Sequence, residues 1–453
     1  FEMYEIEAAD KGDFSELAAS GPWTQGNGVV TLTDTDTGIR FVLTLSSTGS
    51  SGFVSQLIQQ SPTITERPMA IVTRIAPDPS DLGTVLAAGI FDKDGNPVVF
   101  DLREASDSWS VVDVERYAMD DLAFAPTDGL GANPADIEAF EASDGRLLAA
   151  ITTDDGLFAM QRDEAGFWRL RNLTDSLTGA DNITSTITIF TDNNGTSYVA
   201  GTTGAGEMVT YVFDPTANNG EGAWSYTNIS VEQLAPKNQT TPVFVGPLIS
   251  YVTAWNGLNI AGLDADGNIQ AVWSGDGGTV WNASNLSTIT GAPAMASGLT
   301  AYLTDWQGIN IIGLDADGQV LATWWVPAFK GNWRVSNLTA ISGGSALTGS
   351  SLTSFVAPWG ALNIAGLDEN SDIQTYWWTP VTNKWQVANL TAAIAPGDPK
   401  PAEQLQSQTN TTYGGELNIL GTDPDTGDLL RLYFRVDDNQ WVVENVTTDA
   451  DYV

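Results

Sequence analysis

Short apolar runs recur along this chain in groups of four, separated by clusters of Asp, Asn, Gly and Thr. The sharpest group reads Leu299 to Asp305, Ile309 to Leu314, Val320 to Val326 and Trp333 to Thr339. Each run is rich in β-branched and aromatic residues and too short for a stable helix, so the pattern predicts four β-strands joined by tight turns. Between the second and third runs lies Asp315-Ala-Asp317-Gly318. Its counterparts are Asp34-Thr-Asp36-Thr-Gly38, Asp92-Lys-Asp94-Gly95, Asp264-Ala-Asp266-Gly267, Asp368-Glu-Asn370 and Asp423-Pro-Asp425-Thr-Gly427. Asp accepts local backbone bonds and Gly supplies positive φ, which is what such a turn requires.

The groups repeat with a fixed anchor, an aromatic followed four residues later by Asn. It occurs at Trp168/Asn172, Trp224/Asn228, Trp281/Asn285, Trp333/Asn337, Trp385/Asn389 and Trp441/Asn445, with weaker copies at Trp109/Asp113 and Phe53/Leu57. A four-stranded unit of this size cannot cover both of its faces alone; stacking covers them, and closing the stack removes the exposed ends. The expected fold is all-β: a β-propeller of eight four-stranded blades over residues 21–453, preceded by a lead-in segment, residues 1–20. Seven blades is the alternative, with residues 1–60 set apart, because Phe53 and Leu57 stand where other units have Trp and Asn. All sixteen tryptophans fall on repeat positions, as expected of large rings that fill the space between blades.

Composition narrows the chemistry. Asp and Glu outnumber Lys and Arg by 56 to 18, a formal charge of −38. Such a field repels phosphate backbones and anionic lipid, so neither nucleic acid nor a membrane surface is an expected partner. With no Cys and no His, a disulfide framework, a thiolate nucleophile, an imidazole base and a Cys/His zinc site are all excluded. No apolar stretch is long enough to cross a bilayer. A start at Phe1 without a signal sequence reads as a mature or excised portion of a longer polypeptide.

Three constellations carry candidate chemistry. The Asp-x-Asp-Gly turns could hold calcium, but no Glu recurs downstream to complete a loop, so they read as hairpin turns and no metal or other cofactor is expected. Asn172, Asn228, Asn285, Asn337, Asn389 and Asn445 each open an Asn-x-Ser/Thr sequon. They are candidate glycosylation sites or, on the structural reading, residues that close the outer strand through side-chain-to-backbone bonds. Asn259, Asn310, Asn363 and Asn418 follow an aromatic (Trp255, Trp306, Trp359 and Tyr413) by three to five residues. Each pair is either an inter-blade hydrogen bond or a small polar pocket for a ligand. No catalytic residue is assigned, since no isolated break in the repeat gathers acids, Tyr and Arg together.

The run Leu258-Asn-Ile-Ala-Gly-Leu-Asp-Ala-Asp-Gly267 through Trp273, and Ile309 through Trp325 to Trp333, resembles the repeat of the bacterial fucose-binding propeller lectins, best over residues 250–445. The resemblance implies ligand sites between blades, built from aromatic, His and polar side chains. Here Trp255, Trp306, Trp359 and Tyr413 stand at the positions able to supply the aromatic part. The leading expectation is a non-catalytic extracellular or cell-surface module of an adhesion or envelope assembly, with other surface or matrix proteins or glycans as partners. A lectin-like carbohydrate binder is the first alternative and a polysaccharide hydrolase or lyase the second.

Overall fold

The computed structural model describes residues 84–92, 95–103, 108–114, 133–162, 168–220, 222–348, 351–394, 398–410, 416–435 and 440–450, together with the backbone of five strands within residues 18–72. Among the described residues blade 1 has three strands, Thr84–Phe91, Pro97–Arg103 and Ser108–Asp113. Six four-stranded antiparallel blades follow, running from Asp136 to Asn172, Thr188 to Asn228, Val245 to Asn285, Ser297 to Asn337, Leu352 to Asn389 and Glu403 to Asn445. In each of the six, the strands run from the inside of the ring outwards in sequence order.

The ring therefore has seven blades, not eight. Strand Thr84–Phe91 lies against the innermost strand of blade 2 and also against that of blade 7, so the circle closes without a further unit. Gln406 Nε2 of blade 7 donates to the Gly89 carbonyl at 3.2 Å across this closure. Each of the seven seams has its own apolar cluster, from Ala87, Val99 and Ile137 between blades 1 and 2 round to Leu420, Leu429, Leu86 and Trp109 between blades 7 and 1. The expected eighth unit is instead a five-stranded meander, Ala18–Ser20, Asn27–Thr33, Arg40–Thr48, Gly52–Gln60 and Ile71–Val72, whose strands, among the described residues, pair with one another and with no blade. Its copy of the repeat lacks the Trp and Asn that seat other units, and Phe53 falls within the strand Gly52–Gln60. Apart from Ala18–Ser20, the expected lead-in lies outside the described residues.

Burial follows from this stacking. Second strands such as Ile309–Leu314 and Leu362–Leu367 are buried at every position because a neighbouring blade covers each face. Continuous apolar runs, without alternation, are what that environment selects. On the innermost strands, hydroxyl pairs link successive blades: Thr188 to Ser250 and Thr300 to Ser354, each at 2.7 Å, and Thr353 to Ser407.

The repeated Asn-x-Ser/Thr sequon resolves into a brace made twice over. In all six copies the Asn Oδ1 accepts the backbone N–H three residues on, which caps the short turn after the outer strand. Two residues after the Asn, the Thr or Ser hydroxyl accepts the first N–H of the third strand, as Thr339 does from Val320 (2.9 Å) and Thr447 from Leu429 (2.8 Å). Ser230, Ser287 and Thr391 repeat the contact, and Thr174 makes it with Leu157, the second residue of its strand. Asn337→Ala is expected to cost about 1 kcal/mol, the usual worth of such a cap, while Asn337→Asp keeps most of it; urea unfolding of the two variants checks this.

Candidate functional site: aromatic corners at the blade seams

The hairpin between first and second strands is a five-residue turn in blades 4 and 5, Thr253–Gly257 and Thr304–Gly308. Each Thr Oγ1 accepts the Gly N–H, at 2.7 and 2.8 Å. Asn256 and Gln307 take left-handed φ of 61° and 63°. That closure turns the residue before them outwards, so Trp255 is 49% exposed and Trp306 43%. Blade 6 does the same with Ala357–Ala361 and Gly360 (φ 78°), leaving Trp359 44% exposed.

Each exposed indole rests against an aromatic from the next blade. Trp255 meets Trp325 edge-on at 5.9 Å between centroids, Trp306 meets Trp378 at 5.8 Å, and Trp359 meets Phe434 at 6.4 Å. Three successive seams thus carry a similar corner, a half-exposed indole packed against an aromatic ring of the next blade. Large aromatic surface held rigid and half wet is suited to the apolar face of a ligand that also carries polar groups.

At the seam of blades 4 and 5 the corner opens into a cleft of about 280 Å³, lined by Trp255, Asn259 and Trp273 of blade 4 and by Ile309 and Trp333 of blade 5, with Tyr251 beside them. Asn259 Nδ2 donates to Gly257 O at 3.0 Å, and Trp273 Nε1 donates to Ser284 Oγ at 2.9 Å. Burial pushes the Tyr251 hydroxyl well above the usual phenol range, so it stays protonated. No charged side chain lines the cleft, although the chain as a whole is strongly acidic.

The structure brings Trp255 and Asn259 into one cleft. Asn310 and Asn363 are buried, at 9% and 6% exposure, while Trp306 and Trp359 remain half-exposed. Asn418 is fully buried and accepts from Arg431 Nε at 2.7 Å, a core contact. Tyr413 lies outside the described residues. Reading the sequence missed Trp325, Trp378 and Phe434 as parts of the site. The doublets Trp324-Trp325 and Trp377-Trp378 were the available signal, but which ring crosses the seam depends on strand facing and blade order.

The repeated sequon asparagines sit in the caps described above, and Asn172 and Asn228 are buried. In the Asp-x-Asp-Gly turns the first carboxylate serves its own loop. Asp264 Oδ1 accepts from Asp266 N and Asn268 N at 3.0 and 2.9 Å, and Asp315 Oδ1 from Asp317 N and Gln319 N at the same distances. For Asp264, desolvation is the largest single effect and acts upwards, but the bonds from Gln270, Asn268 and the backbone together outweigh it and hold the carboxyl below its ordinary value. Among the described residues no group of three acidic side chains is arranged to hold a metal.

Two carboxylates differ. Asp136 and Glu138 lie on the innermost strand of blade 2, and burial raises both; the charge of Asp136 adds to the effect on Glu138, which reaches about 8. A carboxyl whose folded value lies above its unfolded value of 4.5 costs stability as pH rises through that window, since the unfolded chain releases its proton first. Between about pH 4.5 and 8 the fold is therefore expected to lose up to a few kcal/mol. That figure is an upper limit because Glu138 keeps part of its surface accessible. Glu138→Gln should flatten the slope in urea titrations at successive pH values; an unchanged slope would assign it to other groups.

No protein-family model matches the chain, and no curated protein does. Solved structures similar to it include the Aleuria aurantia lectin in complex with Fucα1-6GlcNAc, at 11% identity and TM-score 0.45, with 68% of this chain and 94% of that one covered. The SapL1 lectin in complex with α-methyl fucoside is 14% identical at TM-score 0.44, covering 69% and 95%. AofleA from Arthrobotrys oligospora is 14% identical at TM-score 0.42, covering 69% and 85%. At this distance, what the seams of this chain do is read from their own geometry.

Proposed function

We propose that the ring is a non-catalytic carbohydrate-binding propeller that seats neutral sugars at the seams of blades 4/5, 5/6 and 6/7. One observation carries the reading: three half-exposed indoles, pinned alike at successive seams, the first of them over an uncharged cleft with amide and hydroxyl groups. The C–H face of a pyranose stacks on such a ring while its hydroxyls reach the polar groups. Acidic sugars are disfavoured, because the −38 field meets no cation at the 4/5 cleft. Spaced seats of modest affinity suit attachment to a glycan-bearing surface, where linked sites gain by effective concentration. On this reading the module works outside the cytoplasm, as part of an adhesion or envelope assembly.

A glycan array probed with and without calcium tests the proposal. Binding to neutral glycans in both conditions is expected. The triple variant Trp255→Ala/Trp306→Ala/Trp359→Ala should weaken it at least tenfold, about 1.4 kcal/mol at each seat. No binding by the native chain, or binding indifferent to the three substitutions, refutes it.

A further inference from the structure

A second cavity lies at the opposite end of the strands from the tryptophan tips. After blade 3 the chain forms a π-helical turn, Ser230–Leu234, and a 3-10 turn, Ala235–Lys237, and then folds back on the outer strand of blade 4. Lys237 Nζ donates to the Trp281 carbonyl, and Gln239 Oε1 accepts from Ala283 N at 2.9 Å. Between this connection and the Asp264–Gly267 turn is an open space of about 540 Å³, nearly twice the seam cleft. Gln239, Thr240 and Val243 form one wall; Asp264, Asp266 and Asn285 form the other.

Asn285 is the informative residue. Five of the six repeated asparagines give Nδ2 to a protein acceptor: Asn172 to Asp155 O, Asn228 to Glu207, Asn337 to Gln319, Asn389 to Asp372 and Asn445 to Asp428. The counterpart of Gln319, Asp372 and Asp428 in blade 4 is Asn268, whose own amide is turned onto Asp264 at 3.0 Å. Asn285 Oδ1 still caps its turn, accepting from Thr288 N at 2.8 Å, but its Nδ2 meets no acceptor among the described residues. A free amide donor thus shares a cavity with the exposed carboxylate of Asp266 and the apolar side chain of Val243, itself 78% exposed.

We infer that this cavity is a second binding site, for a neutral oligosaccharide segment. A donor and a carboxylate acceptor lining one cavity match the two roles of sugar hydroxyls, each of which both gives and takes a hydrogen bond. Phosphate, sulfate and uronate do not fit, because Asp264 and Asp266 are in the lining and no Lys or Arg is. The volume takes more than one ring. The site uses none of the corner tryptophans, so it stands or falls apart from them.

The test is calorimetric titration with unbranched neutral trisaccharides (cellotriose, maltotriose, mannotriose and chitotriose) on the full chain carrying the three tryptophan substitutions, so that the seams are silent. Residual binding to at least one of them is expected. Asn285→Asp, which keeps the cap and removes the donor, should weaken it tenfold or more, and Asp266→Asn should weaken it as well. Melting curves matching the parent exclude misfolding as the cause. Absence of binding in the tryptophan-free background, or binding unaffected by both variants, overturns the second site; loss of binding only when the tryptophans are removed leaves the seams as the sole seats.

Discussion

Glu444→Ala should lower the free energy of unfolding by about 3 kcal/mol and loosen the joint where the ring closes. Its carboxylate meets Arg431 Nη1 at 2.9 Å and accepts from Trp109 Nε1, in blade 1, at 3.0 Å. Arg431 is 6% exposed, bonds Asn418 and stacks over Tyr433 at 4.2 Å. Removing the counter-charge of a buried guanidinium typically costs 3–5 kcal/mol, with the lower end appropriate because Glu444 is itself less buried. Urea unfolding gives the magnitude. Hydrogen exchange gives the location: amides of Thr84–Phe91 and Ser108–Asp113 should lose protection before those of blades 4 and 5. Arg431→Met/Glu444→Leu should recover most of the loss, since a pair replaced by packed apolar side chains is often neutral. If Glu444→Ala unfolds like the parent, closure rests on the apolar cluster and the Gln406–Gly89 bond rather than on the ion pair.

Gly421→Val should destabilise the protein by about 2–3 kcal/mol or prevent folding. A Cβ at Gly421 would lie 2.6 Å from Leu405 Cδ2, 2.8 Å from the Glu403 carbonyl and 2.9 Å from Pro401 Cβ. The last two contacts involve backbone and a rigid ring, so they cannot relax as a flexible side chain would, and overpacking of this kind costs about 1–3 kcal/mol or more. Gly201, Gly262, Gly313 and Gly366 hold the same repeat position, each beneath the segment that leads into its blade's innermost strand. Gly204→Ala is the control, since only the Thr184 side chain approaches its Cβ, at 3.8 Å. It should be neutral or slightly stabilising. Equal losses at the two glycines would mean that the crossing is not the cause.

How much was legible in advance varied with the range of the interaction. The strands of blades 4 to 7, their turns and their stacking in a ring followed from runs, Asp-Gly turns and the aromatic-Asn anchor, because these act over a few residues and repeat. The brace at the repeated sequons was half legible: its Asn cap is local, whereas the hydroxyl bond to the third strand spans 18 residues in Thr391 and Ile373. The blade count was not legible. A weak eighth copy at Phe53 resembles the others in spacing, yet closure is decided by whether strand Thr84–Phe91 can face two neighbours at once, which no periodicity encodes.

The sequence by itself determined an acidic, all-β, repeat-built protein without imidazole or thiol chemistry, and it set Trp255, Trp306 and Trp359 at turns, where φ preferences and short-range hydrogen bonds dictate the shape. Only the tertiary structure decided that seven blades close the ring and that Trp325, Trp378 and Phe434 pin those indoles from the next blade. It also decided that Asn259 opens into a cleft while Asn418 is consumed by Arg431. The rings that meet across a seam lie about 70 residues apart in sequence, and Arg431 reaches Asn418 from the next strand of the same blade; which side chains meet is selected by packing of the closed ring as a whole.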